Sequence, residues 1–202
     1  MIVIGLCGSS GAGKGYTCKK FSEYGIECID TDKLYTEKVV CQGSQCLMEL
    51  VEYFGNEILA SDGSLDKKIL SKMVFEGEDA SKNLSKLNEI THKHIKIETE
   101  KILNENRKKG TVATVIDAPV LFESGFDKMC DVTICITAPN ELKIKRITER
   151  DGITTKKAQS RLNAQLSDRD LRSRCDIEIV NDGTNTLDAN IKEAIKKLNL
   201  IR

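Results

Sequence analysis

The heptapeptide Gly8-Ser9-Ser10-Gly11-Ala12-Gly13-Lys14 follows directly on an apolar run, residues 2–7, and opens a segment of helical period, residues 14–24, that Gly25 ends. Strand, glycine-rich turn and helix in that order, with the spacing G-x-x-x-x-G-K, constrain the fold more than any other feature of the chain. The glycines let the turn aim its N–H groups at one anion, the helix N-terminus adds about half a positive charge, and Lys14 can reach the far end of a phosphate chain. A glycine-rich turn can merely join strand to helix, but here the lysine and the strand context are both in place. The next position departs from the full motif. Gly15, followed by Tyr16 and Thr17, stands where a Ser or Thr hydroxyl would ligate Mg²⁺.

The rest of the chain alternates strands and helices. A second short strand is expected at residues 26–30, followed by about 75 residues to Lys109 in which helical spacing dominates, the candidate inserted subdomain. Residues 111–116 and 132–137 are β-branched, buried-type strands, each closed by a proline, Pro119 and Pro139. A helix over 140–150, a loop at Asp151-Gly152, a polar helix from about Thr155, a strand at 177–180 and an amphipathic helix over 187–198 complete the order. This is an α/β pattern with a mainly parallel sheet, whose ligands bind beyond the carboxyl ends of the strands.

Composition narrows the partners. Among 202 residues, 31 Lys and Arg balance 31 Asp and Glu, so the whole-chain basic field of a nucleic-acid-binding protein is absent. The longest apolar stretches fall far short of a membrane span, and the N-terminal apolar run, with no basic region before it, reads as a strand and not as a secretory signal. Eight cysteines sit singly in apolar patterns without a Cys-x-x-Cys pair, as reduced, mostly buried thiols of a cytoplasmic protein would. A zinc site is the sharper reading, but His92 and His94 are two apart, on different sides of a helix.

Two further groups are candidates for chemistry. Asp30 and Asp32 follow the second strand, at the sheet edge where an acceptor hydroxyl would sit. An aspartate there can take the proton of the attacking hydroxyl. Asp32 can equally be the cap of a helix beginning at Lys33. Between Lys143 and Arg174, ten basic residues face four acidic ones, a local charge of +6 within a neutral chain. Arg146 and Arg150 are four apart and share a helix face, where they could clamp phosphates. Most of the other charges read as a solvated surface, and the segment has no aromatic side chain on which bases could stack.

The loop Gly8-x-x-Gly11-x-Gly13-Lys14-Gly15 is similar to that of adenylate kinases, which also carry Gly after Lys and are compatible with a magnesium ion held mainly through water and phosphate oxygens. Over nearly the whole chain the sequence resembles the dephospho-CoA kinase family, P-loop kinases related in fold to nucleoside monophosphate kinases. The markers occur in the family's order: Gly5-Leu6-Cys7-Gly8 with the loop, Ile29-Asp30-Thr31-Asp32, Ile90-Thr91-His92, Asp117-Ala118-Pro119-Val120-Leu121-Phe122-Glu123, Arg146-x-x-x-Arg150, Arg161-x-x-x-Gln165 and Asp176-x-x-x-x-Asn181-x-Gly183. Gly15-Tyr16 and Lys93 depart from the family's Ser/Thr-Thr and Pro. The D-G-F-P-R stretch of adenylate kinases is missing, Asp117-Ala118-Pro119-Val120 standing in its place.

The resemblance implies a three-layer P-loop kinase fold of residues 1–202, with a five-stranded, mainly parallel sheet, a helical CoA-binding insertion at about 33–110 and a lid at about 150–175. It implies transfer of a phosphoryl group from ATP, with Mg²⁺, to the ribose 3′-hydroxyl of dephospho-CoA. On that reading Gly11, Ala12, Gly13, Lys14, Gly15 and Tyr16 line the ATP phosphates, Lys14 stabilises charge on the transferring group, and Asp32 is the base. Arg146 and Arg150 belong to the lid side, where one or the other neutralises the phosphates, and Asn181 lies near the adenine. The expected setting is cytoplasmic, with small-molecule substrates, no nucleic acid and no membrane, as a monomer or small homo-oligomer. Another small-molecule kinase, or a nucleotide-binding regulatory protein with impaired transfer, are the alternatives.

Overall fold

The computed structural model describes residues 1–184 and 186–200. Five strands, β1 (Ile2–Cys7), β2 (Glu27–Asp30), β3 (Ala113–Asp117), β4 (Val132–Thr137) and β5 (Ile177–Val180), form one sheet in the order β2-β3-β1-β4-β5. β1 runs parallel to β3 and β4, and β4 parallel to β5. The sheet is doubly wound, so the chain leaves β1 at the point where neighbouring strands depart to either side, the place where α/β sheets bind ligands. β3 starts two residues later than its apolar run, at Ala113, because Val112 is exposed at the sheet's lower edge while Asp117 extends the strand at its upper one.

The described residues group into two compact units, Met1–Ile29 with Asn106–Arg202, and Asp30–Glu105. In the first unit β1 is buried from Val3 onward, as a central parallel strand covered on both faces must be. Its Ile4 and Leu6 pack with Ile134 and Ile136 of β4, Phe21 of helix α1 (Lys14–Glu23), and Ile191 and Ile195. The last two belong to a C-terminal helix, Leu187–Lys197, whose buried Ile191, Ala194 and Ile195 have the i, i+3, i+4 spacing of an amphipathic face.

In the second unit the chain runs through α2 (Thr31–Leu34), a π-turn at Tyr35–Val39, α3 (Gln45–Phe54) and α4 (Lys67–Phe75) into α5 (Ala80–Lys109), which at 30 residues is the longest helix. Ser44 and Asp66 cap α3 and α4 with side-chain oxygens that accept from Leu47 N–H and from Lys68 and Ile69 N–H. Each such cap is worth about 1 kcal/mol. α3 buries Cys46, Leu47, Leu50 and Phe54, and α5 buries Ile90, Ile95 and Leu103. His94 Nε2 of α5 lies 3.1 Å from Glu49 Oε1 of α3, and the Lys93 ammonium and then His94 hold that carboxyl below its usual range. The two histidines thus diverge as their spacing requires.

Between β4 and β5 lie α6 (Asn140–Asp151), α7 (Thr155–Asn163) and α8 (Asp168–Arg174), and the C-terminal helix is α9. The single polar helix expected from Thr155 is therefore two. Ser167 interrupts it by capping α8, its hydroxyl accepting from Asp170 N–H. All eight cysteines are free thiols: Cys7, Cys46 and Cys135 are buried, Cys41 is exposed and the other four are half-buried. Fewer are fully buried than the apolar patterns implied: Cys28, Cys130 and Cys175 sit at the ends or margins of their elements, and Cys18 lies mid-helix on a half-buried side of α1. No helix among the described residues is long and apolar enough to cross a membrane.

Candidate active site

The glycine-rich loop leaves β1 at Gly8 and enters α1 at Lys14, with Gly13 in a left-handed conformation (φ 116°) as the residue before the helix. Gly11 is also left-handed (φ 78°), and a Cβ there would stand 2.6 Å from the carbonyl oxygen of Lys143 in α6. A Cβ on Gly13 would collide with the Asn181 carboxamide. These two glycines are required by backbone shape and by close neighbours together. Gly15 differs, since nothing lies within 4 Å of where its Cβ would be. A serine would fit there, so its absence is a matter of chemistry and not of space.

Two side chains brace the loop from outside. Arg146 of α6 donates through Nη1 to Gly11 O at 3.0 Å and through Nη2 to Asn181 Oδ1 at 3.1 Å. Asn181, just past β5 and only 3% exposed, donates its Nδ2 to Ala12 O at 2.7 Å. The carbonyls of Gly11 and Ala12 are thus tied outward, as an anion cradle needs, while two of the loop's own N–H groups, on Ser10 and Ala12, donate to Gln165 Oε1 and Ser9 O. Lys14 lies along the loop, with Nζ 3.2 Å from Gly8 O and 3.9 Å from Asp117 Oδ1. Asp117 ends β3 in register with Leu6 of β1, so its carboxylate stands level with the root of the loop. The sequence reading quoted Asp117 among the family markers but gave it no task. Its position at a strand's carboxyl end, beside the loop strand, was the available signal.

Beyond the helix end of the loop opens a cavity of about 580 Å³, lined among others by Gly13, Tyr16, Arg146, Asn181, Leu187 and Asp188. Its volume is in the range of small-molecule sites. Tyr16 is 45% exposed, and its hydroxyl donates to Asp188 Oδ1 at 2.7 Å, a bond that raises the phenol above its ordinary value. Lys20 reaches the same carboxylate at 3.2 Å, so α1 and α9 are joined along one wall of the cavity.

The structure therefore brings together Gly11, Ala12, Gly13, Lys14, Tyr16, Arg146 and Asn181. It places Arg150 elsewhere: on the last turn of α6 its guanidinium pairs with Asp151 at 2.7 Å, and Arg161 of α7 joins the same carboxylate. Arg150 and then Arg161 draw the Asp151 carboxyl down to about 2 against the opposing effect of its partial desolvation. Asp32 belongs to the second unit, as the second residue of α2 and exposed. The cap of α2 is Asp30, which accepts from Lys33 N–H at 3.0 Å, so the capping alternative for Asp32 falls to its neighbour.

Sequence reasoning missed Lys143 and Asp168. Lys143 and Ile147 are the buried positions of α6, and at Lys143 the inward stripe holds an ammonium that is 4% exposed. Its Nζ donates to Asp168 Oδ1 at 2.8 Å and to Ser9 Oγ at 3.1 Å. Burying such a charge costs several kcal/mol unless it is paired and hydrogen-bonded, and here it is both. Gln165 Oε1 accepts from Ser10 N–H at 2.9 Å.

A parallel sheet of order 2-3-1-4-5, with a braced phosphate loop after its central strand, defines a P-loop kinase. A family model described as dephospho-CoA kinase matches residues 2–186. The dephospho-CoA kinase of Fusobacterium nucleatum is 33% identical over 198 residues, covering 98% of this chain and 95% of its own. The chain belongs to the dephospho-CoA kinase family. Among solved structures, a Thermus thermophilus protein superposes with a TM-score of 0.77 at 23% identity, covering 98% of this chain and 96% of its own. The dephospho-CoA kinase of Campylobacter jejuni does so with a TM-score of 0.69 at 24% identity, over 97% and 96%. Both share the fold.

Proposed function

We infer that the protein transfers the γ-phosphoryl group of ATP to the ribose 3′-hydroxyl of dephospho-CoA, giving CoA and ADP. The observation that carries this reading is the loop Gly8 to Lys14, held open by Arg146 and Asn181 in a chain of the dephospho-CoA kinase family. The nucleoside of ATP occupies the cavity between Tyr16, Asn181 and Leu187, and its phosphates run along the loop toward Gly8. Lys14 neutralises charge on the transferring group. Arg146 acts at one remove, fixing the loop carbonyls at Gly11 so that the N–H groups stay aimed at phosphate. Phosphoryl transfer asks the protein mainly for positioning and charge, and Asp32 adds the one proton transfer, accepting the acceptor hydroxyl's proton as oxygen attacks phosphorus.

Mg²⁺ fits the residues present in a restricted way. Gly15 offers no ligand, whereas the Asp117 carboxylate, 3.9 Å from Lys14 Nζ, is the hard oxygen donor that this ion prefers. Asp117 would hold it, directly or through water, and when bound it supplies charge neutralisation on the phosphate oxygens. The helical unit Asp30–Glu105 takes the CoA moiety of the acceptor, and residues 150–175, with Arg150, act as the lid. The partners are small molecules, with neither nucleic acid nor membrane, in the cytoplasm, the protein acting as a monomer or small homo-oligomer.

The test is ADP release with ATP and Mg²⁺, offering dephospho-CoA, adenosine monophosphate, cytidine monophosphate or shikimate as acceptor. Turnover is expected with dephospho-CoA far above the others. Turnover with another acceptor and none with dephospho-CoA would refute the assignment.

A further inference from the structure

The phosphate loop is held at two ends by different groups. At the α1 end Arg146 and Asn181 bind the carbonyls of Gly11 and Ala12 beside the cavity. At the β1 end the partners come from α6, from the first residue of α8 and from the segment between α7 and α8. Lys143 Nζ, 4% exposed, joins Ser9 Oγ to Asp168 Oδ1, the Ser9 hydroxyl itself stands 3.1 Å from that oxygen, and Asp168 Oδ2 accepts from Ala138 N–H at 3.1 Å. One residue on, Gln165 accepts from Ser10 N–H. A charged pair has thus been built into a stripe where an apolar residue would cost less, and its bonds reach Ser9 on one side and the Ala138 N–H just past β4 on the other. The cost is difficult to explain by packing alone, since a methionine or leucine would fill the α6 stripe without desolvating a charge.

Which part of a nucleotide this end serves follows from the loop's direction. The cavity lies beside Gly13 and Tyr16, while Lys14 Nζ folds back to within 3.2 Å of Gly8 O. The phosphate chain therefore runs from the cavity toward Gly8, Ser9 and Ser10, and its last member meets the end held by Lys143 and Asp168. We propose that Lys143 and Asp168 are positioning residues that fix Ser9 and Ser10 for the terminal phosphate of the triphosphate. Through them the protein discriminates ATP from ADP. Neither residue touches the reacting atoms. The pair holds the Ser9 hydroxyl and keeps the Gln165 segment seated on the loop, so the terminal phosphate meets a preformed edge, while the two inner phosphates depend on the Arg146 and Asn181 end.

This rests on the reading of the loop as an ATP site and is independent of the acceptor, so it is tested by nucleotide binding alone. Calorimetric titration with ATP and with ADP, both with Mg²⁺, is carried out on the full chain and on Asp168→Asn and Ser9→Ala. Ser9→Ala leaves the ion pair intact and removes only its grip on the loop. The expected result is a Kd for ATP raised about tenfold or more in both variants, equivalent to about 1.4 kcal/mol, with the Kd for ADP within about twofold of the unaltered protein. If Asp168→Asn does not fold, as judged by its thermal transition, the double variant Lys143→Gln with Asp168→Asn, neutral and still hydrogen-bonded, takes its place with the same expectation. Equal losses of ATP and ADP affinity would make the pair merely structural and overturn the proposal, as would unchanged affinity for both. An unaltered protein that bound neither nucleotide would overturn the ATP-site reading itself.

Discussion

Asp30 and Asp32 illustrate how little distance separates a structural carboxylate from a chemical one. Both follow β2, yet Asp30 spends its side chain on Lys33 N–H, while Asp32, two residues on, lies on the exposed side of the first turn of α2. Asp32→Asn is accordingly expected to lower kcat for CoA formation by about 10²-fold, the scale of a general base, with the Kd for ATP unchanged, which steady-state kinetics and calorimetry together would check. An unchanged kcat would remove Asp32 from the mechanism. The same contrast shows what a sequence can carry at this scale. The loop was legible because its spacing is its chemistry. Lys143 was not, because on a helix dense in charge a lysine reads as solvated, and its partner Asp168 stands 25 positions away, where only folding brings it into reach. Arg150 shows what spacing leaves out: it shares a helix face with Arg146, and at the last turn its guanidinium pairs with the adjacent Asp151.

At the scale of elements, strand ends marked by Pro119 and Pro139 were read well, since proline and β-branched runs act locally, whereas the boundary between α7 and α8 was missed although Ser167-x-x-Asp170 is a capping pattern. α5 offers a test of its own. Burial, and then the nearby Lys96, lower the His92 imidazole below its usual value, about 6.5 in the unfolded chain. Between the two values the unfolded chain binds more protons than the folded one, so stability rises with pH there, is lost as pH falls below about 6.5, and stops falling once the folded value is passed. His92→Gln is expected to flatten the stability curve just below about pH 6.5 while leaving it parallel to the original above about pH 7, as measured by urea unfolding at several pH values. A curve as steep as that of the unaltered protein would place the acid sensitivity elsewhere.

For the molecule as a whole, neutrality conceals a division, with +6 carried between Lys143 and Arg174 in a chain whose total is zero. Much of that positive charge faces inward or is paired, in Arg146 with the loop, Lys143 with Asp168, and Arg150 and Arg161 with Asp151. The stabilisation expected from ligand is therefore that of specific binding: ATP with Mg²⁺ at 100 times its Kd should add about 2.7 kcal/mol and raise the thermal midpoint by about 5 to 10 °C, since in a protein of this size 1 kcal/mol moves it by about 2–4 °C. A midpoint indifferent to ATP in calorimetric scans would contradict the site. The closure of the loop by Asn181 has a further consequence, for the order of assembly. Asn181 follows Ala12 by 169 positions, and β1 pairs with strands more than a hundred positions downstream. Such long-range closure is slow, and the intervening helical unit, rich in local contacts, can form first. Until β5 and Asn181 emerge the loop lacks the amide that braces Ala12, so a nascent chain completes its nucleotide site only after everything between them has been made.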